Sequence, residues 1–395
     1  MEFLGRNLDA LGQVVTGRTT SLFAPALSTM SPLITETYRG SRVLVTGGAG
    51  FIGAATLRLL LAHRPAKVVV ADIWENGLAE LVRDLRAEGS VPDGTILEPR
   101  LVDVTGPLID RVVRDDGPFD VVLAFAAAKH VRTERDAISA LQMLNVNING
   151  TYRVLKAAAE SNPDCRLFMV STDKAADPSS LMGASKRVME ELVMSELPSV
   201  TTTRFANVAF STGSLLENWL IRLGRHHALP VPANTQRYFV RQAEAGQICL
   251  LASIAEPGSI IVPSDNAIDS VELTLALERM LDFLEIPRRE VQLSEAAGHS
   301  DDRTARVLIT ARDTAGEKSA EVFVGSSEQR VAWLPGLDFV RSTLPRRDCR
   351  DLARWIEHAT RAEPGPGIDE ILSRVEEAVP EFVHVTSGLR LDDRI

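Results

Sequence analysis

From Ser41 onward, short β-branched and aliphatic runs alternate with stretches whose apolar residues recur at helical spacing. RVLVTG (42–47) is a β-branched run that ends in glycines, and TLRLLLA (56–62) reads as a helix. KVVVAD (67–72) reads as a second strand and LAELVRDLRAEG (78–89) as a second amphipathic helix. The alternation continues through ILEPRLVDV, FDVVLAFAA, CRLFMVST and TTTRFANV. It predicts an α/β chain with a doubly wound parallel sheet of the Rossmann type.

After Asn207 the rhythm loosens. Pro230, Pro232, Pro257 and Pro263 interrupt short segments, then VELTLALERMLDFLEI (271–286) reads as a helix and ARVLITARD and AEVFVGS as a strand pair. The last stretch reads as two or three helices around PGPG (364–367). Before the sheet, Phe3, Leu4, Leu8, Leu11, Val14 and Val15 suggest a helical arm, and the Ser/Thr/Pro-rich residues 19–37 a linker. The expected organisation is an arm and linker (1–40), a dinucleotide-binding domain (41–210), a smaller α/β substrate lobe (211–330) and a helical C-terminal extension (331–395).

Composition narrows the classes. The 395 residues are 45% apolar, carry a formal net charge of −10 and offer no general attraction for nucleic acid or an anionic membrane face. Cys165, Cys249 and Cys349 show no CxxC or metal-ligand spacing and the seven histidines form no cluster, so no metal is expected. No apolar run approaches the ~20 residues of a membrane span. With no basic-then-apolar leader at the N-terminus, the chain reads as cytoplasmic.

TGGAGFIG (Thr46, Gly47, Gly50, Phe51, Ile52 and Gly53 among its residues) ends a predicted strand and opens a predicted helix. Gly47 permits a tight turn, Gly50 lets backbone approach a pyrophosphate, and Gly53 lets helix and strand pack closely. Asp72 closes the second strand, where a carboxylate can bond the ribose hydroxyls. Ile73-Trp74-Glu75 then bring no Arg or Lys for a 2′-phosphate, which favours NAD over NADP. Asp103 and Val104 end the third strand near the adenine edge, and Ala126 and Ala127 supply small residues where the fourth passes the cofactor. The bland alternative is that these glycines only make a turn.

VSTDKA (170–175) and MGASKR (182–187) hold the candidate chemistry. Met182 lies one helical turn before Lys186. An isolated Asp173-Lys174 step would be a surface ion pair, but it falls at the C-terminal end of a parallel strand, where such sheets bind ligands.

Taken together, TGGAGFIG, AAAKHV (126–131), NINGT (147–151), VSTDKA, MGASKR and RFANV (204–208) resemble the extended short-chain dehydrogenase/reductases. More narrowly, they resemble the polysaccharide-biosynthesis branch of nucleotide-sugar 4,6-dehydratases, which act on UDP-N-acetylglucosamine, in a subgroup with Met where relatives carry a proton-handling Tyr. The resemblance covers about residues 38–265. It implies a lyase that oxidises carbon 4 of a UDP-linked sugar with NAD, eliminates water across carbons 5 and 6, and returns the hydride. Thr172 would meet the 4-hydroxyl, Asp173 protonate the departing hydroxyl, and Lys174 take the carbon-5 proton. Lys186 would hold the nicotinamide ribose, with Asn147 anchoring a link beside it.

On the same basis Lys129, His130, Arg204, Asn207 and Arg237 are substrate-side candidates, Arg237 for the diphosphate. A homodimer paired through the helices beside the sheet is also implied. Phe125 stands where many relatives carry His, and TAGEK (314–318) lacks an arginine expected at the diphosphate. Two other readings therefore stay open: an NAD-dependent nucleotide-sugar epimerase or oxidoreductase, and a non-catalytic NAD-binding scaffold or sensor.

Overall fold

The computed structural model describes residues 8–129, 134, 136–265, 267–296, 304–310 and 321–384. The main sheet is begun by β1 (Arg42–Thr46), β2 (Lys67–Asp72), β3 (Ile96–Leu101), β4 (Val121–Ala124), β5 (Arg166–Val170) and β6 (Thr201–Thr203). They lie in the order β3-β2-β1-β4-β5-β6, every neighbouring pair parallel. The chain leaves the sheet for β7 (Asn207–Val208), β8 (Leu229–Pro232) and β9 (Gln236–Val240), then returns as β10 (Ile260–Pro263), parallel to β6. It departs again through β11 (Ser270–Glu272), β12 (Arg288–Glu290) and β13 (Ala305–Thr310). A final hairpin, β14 (Glu328–Leu334) and β15 (Leu337–Ser342), joins β10 antiparallel and completes a nine-stranded sheet.

The central strands are apolar throughout because helices cover both faces of a parallel sheet. Alternate residues serve opposite cores. Leu44, Val69, Val122 and Met169 face one core with helix Leu181–Glu196, while Val43, Val45, Val70 and Leu123 face another with helices Phe51–Leu61 and Gln242–Ser253. A third core, with Trp219, Leu229, Val231 and Met280, builds the smaller lobe. The first helix, Leu8–Thr16, seals it with Leu11 and Val15. Strands β7–β9 and β11–β13 form that lobe's two three-stranded sheets.

Three expectations are corrected. Much of the anticipated linker is a helix, Ala24–Tyr38, because Phe23, Ala26, Ile34 and Tyr38 are apolar enough to be buried, and Tyr38 Oη bonds Ser253 Oγ at 2.7 Å. TTTRFANV is not one strand: after Thr203 the Arg204 side chain turns inward to a buried ion cluster, and the chain leaves the sheet before β7. Nor is AEVFVGS a strand over its described residues 321–326. The strand begins at Glu328, so the region expected to be wholly helical opens with a hairpin turned at Pro335-Gly336, where Gly336 has φ +79°.

Helices Arg350–Ala359 and Ile368–Ala378 follow the hairpin. Leu352, Ile356, Ile371 and Val375 pack with Leu144, Ile148 and Val188 on helices Ala137–Leu144 and Leu181–Glu196 and the π-helical turn Asn145–Gly150.

Candidate active site

The glycine loop joins β1 to helix Phe51–Leu61. Gly47 has φ +67°, and a Cβ there would overlap the Ala126 backbone nitrogen. A Cβ on Gly53 would come within 2.5 Å of Gly47 O. Gly50 precedes the helix and caps it with no side chain, leaving first-turn N–H groups facing outward. Asp72 stands beside this loop: Oδ2 accepts from Ala49 N at 3.0 Å and Oδ1 from Trp74 N at 3.1 Å. Each oxygen keeps a further lone pair. Ile73 and Trp74 are exposed next to it. Asp103 turns its carboxylate onto its own loop, accepting from Thr105 N and Oγ1, and Val104 is buried against Gly150. Phe125 packs its ring on Phe168, 5.7 Å between centroids, and so belongs to the core.

At the end of β5 a short 3-10 turn, Asp173–Ala175, is capped by Thr172. Thr172 Oγ1 donates to Asp173 Oδ1 at 2.8 Å, and Lys174 Nζ lies 3.4 Å from the same oxygen. Asp173 is 4% exposed, whereas the Lys174 side chain is about a third open. The following helix butts against this turn: a Cβ at Gly183, in its first turn, would overlap Lys174 O. Lys186, two residues beyond Ala184 on that helix, reaches back to donate to Val170 O at 3.1 Å. Its full burial lowers the ammonium to about 8, with Glu190 partly opposing. Met182 is buried on the same helix, and its backbone N–H donates to Glu134 Oε1.

Asn147 ties these parts together. Its Oδ1 accepts from Ala128 N, and its Nδ2 donates to Ala128 O and Ser185 Oγ, each at 2.9 Å. With no accessible surface, it fixes the segment Ala126–Lys129 to the Lys186 helix rather than touching a ligand. Its place in a π-helical turn gives the side chain that angle. Ala126 and Ala127 lie at the mouth beyond β4, and Lys129 is exposed there, within electrostatic reach of Glu217 from the smaller lobe. His130 and TAGEK lie outside the described residues.

Arg204 departs from its expected role. It is 0% exposed, with Nε and Nη2 on Glu190, Nη1 on Glu328 at 2.6 Å and Phe323 O at 3.1 Å. No edge remains for a substrate. Glu190 also accepts from Ser171 Oγ at 2.6 Å, so this cluster supports the Thr172–Lys174 turn from behind. Asn207 and Arg237 do meet, on Glu321. A cavity of about 390 Å³ opens beside them, lined by Tyr238, Ile268, Glu321, Phe323 and Arg330. Among the described residues no group of three or more His, Cys, Asp or Glu is placed to hold a metal, and no helix is long and apolar enough to cross a membrane.

Sequence reasoning missed Glu134, Glu190, Glu321 and Glu328. Only Glu190 carried a signal: it follows Lys186 by four residues, on the same helical face.

The chain is 30% identical over 255 residues to a Methanocaldococcus jannaschii protein described as the uncharacterized membrane protein MJ1061, covering 61% of this chain and 73% of that one. It is 29% identical to the capsular polysaccharide biosynthesis protein CapD of Staphylococcus aureus, over 58% of this chain but 39% of CapD. It is 26% identical to a UDP-glucose 4-epimerase of Rickettsia bellii, over 60% of this chain and 70% of the epimerase. Among solved structures, Pen from Bacillus thuringiensis superposes with a TM-score of 0.63 at 22% identity, covering 78% of this chain and 90% of Pen. WbmG of Bordetella bronchiseptica, solved with NAD and UDP, superposes with a TM-score of 0.51 at 21% identity, covering 68% and 85%. These likenesses are of fold, a mixed α/β Rossmann-like architecture. From residue 43 to residue 332 the chain matches the polysaccharide biosynthesis protein family model, and it belongs to that family.

Proposed function

We propose that the chain is an NAD-dependent nucleotide-sugar 4,6-dehydratase acting on a UDP-linked sugar, with UDP-N-acetylglucosamine the first candidate. The observation that carries this reading is the Thr172–Asp173–Lys174 turn. A buried carboxylate and a part-open ammonium share one short loop at the C-terminal end of β5, with Lys186 behind it and a thioether at Met182. A thioether has no proton to give, so proton handling falls to that turn.

The residues present fit the cofactor. The glycine loop lets backbone pack directly on Ala126 and on its own helix, that helix has no side-chain cap on its N–H groups, and Asp72 retains acceptor capacity for ribose hydroxyls. The absence of a cation at Ile73-Trp74-Glu75 supports NAD over NADP. Bound NAD supplies hydride acceptance at carbon 4 and return at carbon 6, so it is not consumed. Thr172 positions the 4-hydroxyl, whose proton passes to Asp173 directly or through water. Lys174, as the free amine, removes the proton on carbon 5, made acidic by the adjacent ketone, Asp173 delivers a proton to the departing 6-hydroxyl, and Lys174 gives its proton back to carbon 5 once hydride has been returned to carbon 6. Lys186 holds the nicotinamide ribose, and Arg237 with Asn207 receives the nucleotide diphosphate.

Epimerase relatives support a second reading, a 4-epimerase, in which no water is lost. It asks Met182 to do what a phenol does, which favours the dehydratase. Mass spectrometry of products from UDP-N-acetylglucosamine and NAD decides. A product lighter by one water, abolished by Asp173→Asn and by Lys174→Ala, is expected; an isomer of unchanged mass establishes the epimerase. NAD binding without turnover on any nucleotide sugar would return the chain to a scaffold role.

A further inference from the structure

Two strands of the substrate side converge on one carboxylate. Asn207 Nδ2, at the start of β7, donates to Glu321 Oε1 at 2.7 Å, and Arg237 Nε, on β9, lies 3.5 Å from the same oxygen. Glu321 and Arg237 side chains are 6% and 12% exposed. Tyr238 and Phe323, neighbours of Arg237 and Glu321 in the chain, approach with ring centroids 6.2 Å apart and close this corner of the cavity.

Glu321 is out of balance with its surroundings. Burial raises its carboxyl above the usual range, and the nearby Asp173 charge raises it further, while Arg237 and the Asn207 bond oppose. The same cavity is also lined by Arg330 and Asp265, which pair with each other at 2.6 Å. An anion arriving at Arg237 would add a third negative group to Glu321 and Asp173. Repulsion at such separations in a partly buried site favours removal of one charge by protonation.

We propose that Glu321 is a specificity-determining residue that occupies, in the unliganded chain, the place of the substrate's diphosphate on Arg237 and Asn207. A nucleotide diphosphate takes that place by displacing the carboxylate, which then takes up a proton from solvent. A neutral sugar has no charge with which to compete. Selection for nucleotide-linked sugars therefore lies partly in an internal competitor. The inference rests on the reading of Arg237 as the diphosphate ligand.

The test is calorimetric binding of UDP-N-acetylglucosamine, whose diphosphate diester does not itself titrate near neutrality, to the full chain with NAD present. Wild type, Glu321→Gln and Arg237→Gln are compared at about pH 5.5 and about pH 8, with melting curves to establish folding. Wild type is expected to bind several-fold, up to about tenfold, more tightly at the lower pH. Glu321→Gln should bind at both pH values as tightly as wild type does at the lower one, and Arg237→Gln should be weak at both. Glu321→Asp, which keeps the charge, should restore the pH dependence. Equal affinities and equal pH dependence in wild type and Glu321→Gln overturn the role of Glu321, while weak binding by Arg237→Gln leaves the substrate reading standing. No binding by any folded form overturns both.

Discussion

Lys186 is a buried cation whose close polar partners among the described residues are a carbonyl and a thioether, Val170 O at 3.1 Å and Met189 Sδ at 3.6 Å. Its ammonium sits at about 8, below the ordinary lysine value of 10.5. The folded state thus binds this proton less tightly than the unfolded chain. The cost is fully present below about pH 8 and fades as pH rises toward 10.5. Lys186→Met is expected to raise stability at neutral pH by about 1–3 kcal/mol, read from denaturant melts, while removing turnover. If Lys186 holds the ribose as proposed, wild-type turnover should fall as pH passes about 8, where the cation is lost. A pH-rate profile flat across that range would sink the assignment. Gly47→Ala meets both a left-handed backbone and the Ala126 nitrogen, and is expected to cost more than about 1 kcal/mol and to weaken NAD binding. The glycines, Asp72 and the Asp173-Lys174 step were legible in the sequence because each signal is local. Arg204 and Asn207 were not, since their decisive partners, Glu328 and Glu321, stand 124 and 114 residues further on.

Helix Leu181–Glu196 and β14 are joined through charge as well as apolar packing. Arg187 and Arg204 share Glu328, with Glu190 and Glu191 completing the set. Burial would raise the Glu328 carboxyl, but hydrogen bonds and charge from Arg204, with Arg187 behind, hold it down at about 2. Its stabilising contribution is present above the ordinary value of 4.5 and is lost as pH falls toward 2. Glu328→Ala leaves two guanidinium groups underpaired out of water and is expected to cost about 3–5 kcal/mol. Chemical denaturation measures the loss; a change under about 1 kcal/mol would show that water reaches the cluster. The same hairpin was the least legible element. Its outer strand, β14, mixes charged and apolar residues because it lies at the sheet edge, with Val331 41% exposed, so its alternation is blurred. The Pro335-Gly336 step was the available turn signal. Parallel strands β1, β2, β4 and β5, buried on both faces, were plain in the sequence as continuous apolar runs.

Across the whole molecule, the C-terminal helices take a place that the sequence pattern did not assign. Leu352, Ile356, Ile371, Val375 and Phe382 cover Leu144, Ile148, Leu181 and Val188, on the elements that carry Asn147, Met182 and Lys186. Val383 N also donates to Pro178 O at 3.2 Å, in the loop between the Asp173 turn and the Lys186 helix. Removing residues 344–395 should bare an apolar face larger than soluble monomers ordinarily show. Light scattering should then report self-association, and a monodisperse truncated monomer would refute the covering role. At the other end, Leu11 and Val15 close a core made with Trp219 and Met280, and Arg18 pairs with Glu244. The ribosome therefore releases the first helix long before its seat exists. That helix must wait, apolar side exposed, until the chain has grown past Met280.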